Sequence, residues 1–103
     1  MDTKTLIAEA KARFNHNAAK AQLKDKYDGK LIVADQGGLW KADIQTITFL
    51  YNTPVAKDKV VLLDTFNNPV EVHAMQLYHK LREVYDNVME EWYNEWKEIE
   101  SKR

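Results

Sequence analysis

The longest uninterrupted pattern of apolar positions lies at the end of the chain. From Ala74 to Ser101, Leu77, Leu81, Val84, Tyr85, Val88, Trp92, Trp96 and Ile99 recur at steps of three and four, with no glycine or proline between them. That period marks one face of a helix. At 1.5 Å per residue such a helix runs about 42 Å, while a compact domain of this length has a radius of gyration near ~13 Å. The helix is therefore expected to overrun its own domain. Trp92, Trp96 and Ile99, near its far end, become expected anchors of an oligomer or partner interface, because large aromatics carry much interface energy. The competing expectation is that the N-terminal helix packs along the full length and covers them.

A second helical period opens the chain. Leu6, Ile7, Ala10, Phe14, Ala18 and Ala21 predict one apolar helix face over residues 3–27, with Gly29 suited to its stop. Between the two helices the period changes. Leu31–Ala34 and Leu39–Ala42 read as short strands around the turn signal Asp35-Gln36-Gly37-Gly38. Val60–Leu63 and Val70–His73 read as a second hairpin around Asn67-Asn68-Pro69. Residues 44–51, IQTITFLY, carry two patterns. Their isoleucine and threonine content favours a strand, and Asp43 as a cap before Ile44, Ile47 and Leu50 favours a short helix; strand is the preferred reading. The plan is a single α+β domain over residues 1–103: helix at about 3–27, strands at about 30–73 forming a mostly antiparallel sheet or barrel, and helix at about 74–101.

Composition narrows the function classes. The 45% hydrophobic and 30% charged content is that of a folded globular chain, and the net charge of −1 supplies no global basic field. Without cysteine there is no disulfide or thiolate metal site. The first residues lack the apolar core of a signal peptide, and no apolar run reaches the roughly 20 residues of a membrane span. An intracellular, cytoplasmic domain is expected. The one basic bias is in the first helix, where Lys4, Lys11, Arg13, Lys20, Lys24, Lys26 and Lys30 face Asp2, Glu9, Asp25 and Asp28, an excess of +3. His16, His73 and His79 have no metal-ligand spacing, and Gly37-Gly38 lacks the Lys-Ser/Thr of a phosphate loop. No catalytic residue, metal or cofactor is expected, and the chain reads as a non-enzyme.

The remaining chemistry sits in VVLLDTFNNPVEV, residues 60–72. An aromatic beside asparagines is how proteins hold single-stranded bases, with the ring stacking and the amide reading the base edge. The stretch resembles the first motif of Sm and Sm-like (LSm) RNA-binding proteins, in which a strand is followed by Asp, an aromatic two residues on, then Asn and a strand. By that resemblance Phe66 stacks a base, Asn68 hydrogen-bonds it with Asn67 beside it, and Asp64 braces the loop. Lys11, Arg13, Lys20 and Lys24 of the basic helix would track phosphate. The chain departs from the pattern in having no glycine after Gly38, where the second Sm motif needs one, and in Asn67 and Pro69. KLIVADQGGLWKAD, the same loop and MEEWYNEWKE together resemble a family of small uncharacterised marine cyanophage proteins held to be Sm-like. What these resemblances imply is an Sm-like fold, a homo-oligomeric ring, and binding of RNA or single-stranded DNA in the host cytoplasm. The alternative is a structural or assembly protein docking through the aromatic tail.

Overall fold

The computed structural model describes residues 3–53 and 58–102. Seven elements follow in order: α1 (Thr3–Lys30), β1 (Ile32–Asp35), β2 (Gly38–Lys41), α2 (Ile44–Tyr51), β3 (Lys59–Leu63), β4 (Pro69–His73) and α3 (Ala74–Ser101). The four strands form two separate antiparallel hairpins, β1–β2 and β3–β4. One backbone bond, from the Thr65 N–H to the Leu39 carbonyl (2.8 Å), ties the hairpins together.

The architecture is α+β, but the expected Sm-like sheet or barrel is overturned. A barrel must close its edges with further strands. Among the described residues there are four short strands and no closure. The segment that was to supply another strand, IQTITFLY, is α2. Its N-cap is Asp43, whose carboxylate accepts from the Thr46 N–H at 2.9 Å. Ile47 and Leu50, three residues apart, turn inward and are buried. That cap and that spacing outweigh the strand preference of the β-branched residues. After β4 the chain passes directly into α3, so among the described residues no later strand follows either.

The core lies where the front half of α3 meets α2 and both hairpins. Leu77 and Leu81 of α3 and Leu50 of α2 are fully buried, with Trp40, Val60 and Val72 from the strands around them. From there α3 runs on as a long arm antiparallel to α1. Leu23 and Tyr27 of α1 are buried in the same core that Val88 of α3 joins, and the Tyr27 and Trp92 rings stack at 5.8 Å and 11°. Ion pairs flank this seam: Lys30–Glu91, Lys26–Glu95 and Lys20–Glu100. The numbers rise on one helix as they fall on the other, as antiparallel register requires.

The α1 stripe expected to face the core does not. Leu6 and Ile7 are each 52% exposed and Phe14 is 72% exposed. Phe14 lies nine residues before Leu23, about two and a half helical turns, and so on the opposite side of α1. The buried face is instead built from Leu23 and Tyr27. The last carboxylate of α3, Glu100, meets α1 at His16 and Lys20, leaving Thr3–Asn15 of α1 exposed along its length. The molecule is accordingly a rod of 67 × 24 × 19 Å with a radius of gyration of 19.4 Å.

Candidate functional site

The sequence places its candidate site in the β3–β4 turn, and the turn is built around Asp64. The Asn67 N–H donates to the Asp64 carbonyl (2.9 Å), and Asn67 adopts φ 60°. This is a three-residue hairpin loop whose last position is left-handed, a conformation that asparagine tolerates. The Asp64 carboxylate is buried. One oxygen accepts from the N–H groups of Phe66 (2.9 Å) and Asn68 (3.0 Å), and the other takes a long contact of 3.4 Å from the Leu39 N–H. The Asn68 N–H, with those of Phe66 and Leu39, holds this carboxyl below the ordinary carboxylate range despite its burial. Asp64 thus braces the turn, and its lone pairs are directed inward.

Phe66 projects from the tip and is 70% exposed. It borders a shallow cleft with Gln36, Gly37, Gly38 and Leu39 of the other hairpin. That hairpin turns on Gln36 (φ 49°) and Gly37 (φ 79°), a two-residue loop with both positions left-handed. Asn67 and Asn68 are exposed beside Phe66.

The cations expected to accompany this loop are elsewhere. Lys11 and Arg13 lie on the exposed front of α1, roughly 28 Å along the helix from Lys30, the end of α1 that adjoins the hairpins. Lys20 is paired with Glu100 and lies over the Trp96 ring, and Lys24 is paired with Asp28. The structure therefore brings together Asp64, Phe66, Asn67 and Asn68 but not the basic residues. Among the described residues no three histidine, aspartate or glutamate side chains converge as metal ligands, and no helix is long and apolar enough to cross a membrane.

The tail anchors divide. Trp92 is half-buried on Tyr27, and Ile99 packs at the edge of the core, so α1 covers both. Trp96 (40% exposed), under Lys20 of α1, and Tyr93 (54% exposed) keep open surface on the flank of α3, edge to face at 6.0 Å. Sequence reasoning missed the surface formed by Leu6, Ile7 and Phe14. The missing signal was length: two helices of equal length, offset in register, cannot cover each other end to end.

Comparison with protein-family models, with curated proteins and with solved structures finds no match.

Proposed function

We propose that this is a non-catalytic structural protein that assembles with itself through its helical arms. One observation carries the reading: Thr3–Asn15 of α1 is exposed throughout and bears the exposed Leu6, Ile7 and Phe14, with Ile7 and Phe14 on the side of α1 opposite Leu23. An exposed apolar stripe of this kind marks an interaction surface. Its charges suggest the partner. Lys4, Lys11 and Arg13 against Glu9 give this segment +2, whereas Glu90, Glu91, Glu95, Glu98 and Glu100 against Lys97 give residues 89–101 of α3 −4. Within one chain the same pairing of basic α1 with acidic α3 already operates. In a two-fold dimer the arm of each copy would extend that pairing along Tyr93, Trp96 and Glu90 of the other. Sedimentation equilibrium over a concentration series tests this. The expected result is a dimer that falls to monomer in the Ile7→Glu/Phe14→Glu variant with helicity unchanged. A monomeric wild type, or a dimer indifferent to those changes, overturns it.

A second reading is favoured by Phe66, an exposed ring beside two asparagines. There the hairpin tip would stack a base of RNA or single-stranded DNA. Fluorescence anisotropy with labelled oligo-U, oligo-A and single-stranded DNA, repeated with Phe66→Ala, separates the readings. Binding at physiological salt that is lost in the variant supports the nucleic-acid site.

A further inference from the structure

Among the described residues, the outer edge of β3 carries no backbone partner. The Asp64 N–H donates to the Asn68 carbonyl (3.0 Å), so residues 64 and 68 form a hydrogen-bonded pair. Such pairs alternate along an antiparallel ladder, and the next are Leu62–Val70 and Val60–Val72. Val61 and Leu63 therefore aim their N–H and C=O groups away from β4. On the far edge of β4 the same count points Pro69, Glu71 and His73 outward, and that edge is largely closed. Proline has no N–H. The His73 N–H donates to Gln36 Oε1 (2.7 Å) and the His73 carbonyl accepts from Gln36 Nε2 (3.3 Å), so the glutamine amide occupies the place of a neighbouring strand.

The open edge of β3 faces a cleft. This is an open groove of about 350 Å³ lined by Leu62 and Leu63, by Trp40 and Lys41, and by Gln45 and Phe49 of α2, with Val61 on the same strand edge outside its lining. The Ala42 N–H donates to the Leu31 carbonyl, and by the same alternation Leu39 and Lys41 point away from β1. The Leu39 carbonyl is taken by Thr65 and the Lys41 carbonyl by the Asp43 N–H. The Lys41 N–H is left aimed outward, and its ammonium has no ion-pair partner among the described residues. Backbone donors and acceptors at strand spacing are complementary to another extended backbone. The Thr65–Leu39 bond joins β2 and β3 directly and so closes one end of the cleft, and an added strand can lie only beyond that end.

We propose that this cleft binds an extended peptide of a partner polypeptide, paired to the β3 edge at Val61 and Leu63. An apolar side chain would enter between Trp40 and Phe49, and an acidic residue would meet Lys41. A second copy of this chain fits less well, since the β4 beside its β3 would run into the Trp40–Lys41 wall. This site stands apart from the arm and does not depend on how the arm is used.

The test uses a fluorescein-labelled peptide of alternating valine and threonine with a terminal glutamate, followed by anisotropy against the intact protein. The same peptide N-methylated at alternate residues is run in both phases. Saturable micromolar binding is expected, lost when one phase is methylated and kept when the other is. Val61→Lys and Lys41→Glu, both at exposed positions, should each weaken it by about tenfold or more, through faster release. The inference is overturned if both methylated peptides bind like the parent, or if none binds at ~1 mM. It also fails if Val61→Lys instead abolishes a dimer of the free protein, which would assign the edge to a second copy.

Discussion

Gly38 is confined by a neighbour rather than by its own backbone angles. A β-carbon there would sit 2.6 Å from Cζ2 and 2.8 Å from Cε2 of Trp40. The ring cannot easily withdraw, since Trp40 is 2% exposed and its Nε1–H donates to the Asp35 carbonyl at 2.8 Å. Gly38→Ala should therefore lower stability by about 1–3 kcal/mol, as overpacking does, read as a lower urea midpoint. Asp64 makes a different prediction. Its folded carboxyl is held down chiefly by the Asn68 N–H, and Glu95 and Glu100 are held down chiefly by Lys26 and Lys20. A depressed folded value means stability present above the unfolded pKa of about 4 and lost as pH falls through the folded values. Urea midpoints between pH 7 and pH 3 should show that loss. Asp64→Asn should be less stable than wild type at pH 7 and lose less on acidification, because one of the three carboxylates no longer titrates. Equal acid sensitivity in the two proteins would contradict the bracing role. Phe66→Ala, at an exposed position, should leave the midpoint within ~0.5 kcal/mol of wild type.

At the level of elements, α2 depends on its cap. It has eight residues, too few to persist alone, and Asp43→Ala should destabilise the protein by about 1 kcal/mol. Thermal unfolding monitored by circular dichroism checks this, and an unchanged midpoint would show that burial of Ile47 and Leu50 suffices. The same helix shows where sequence reading reaches its limit. The period of α3 was legible to its ends, because no residue between Ala74 and Ser101 breaks it and one face carries the large apolar side chains. IQTITFLY was not, because β-branched residues satisfy a strand, and the deciding hydrogen bond depends on backbone geometry that composition does not encode. In α1 the period was legible but the buried face was not. Two sets of apolar positions share that helix, and the choice between them rests on where α3 stops. The Asp64 turn was readable from asparagine and proline, whereas the Gln36 bridge to His73 spans 37 residues and leaves no local pattern.

The whole molecule is held from one end. Its core gathers at the hairpins and α2, and the helical pair reaches away from it with contacts that thin towards Thr3. Local stability should follow that gradient. In the Ile7→Glu/Phe14→Glu variant, amides of residues 3–15 should exchange with deuterium faster than those of α3 near Leu77 and Leu81. In wild type at concentrations favouring assembly, the arm amides should gain protection, and equal exchange at all concentrations would leave the arm without a partner. Elongation also bears on how the particle moves. A body 67 Å long and at most 24 Å across drags more solvent and tumbles end over end more slowly than a sphere of the same mass. It will leave a gel-filtration column early, at the volume of a heavier globular standard. A single chain and a compact pair can then share one elution volume, so its mass is to be weighed by light scattering or sedimentation rather than read from a column calibrated with spheres.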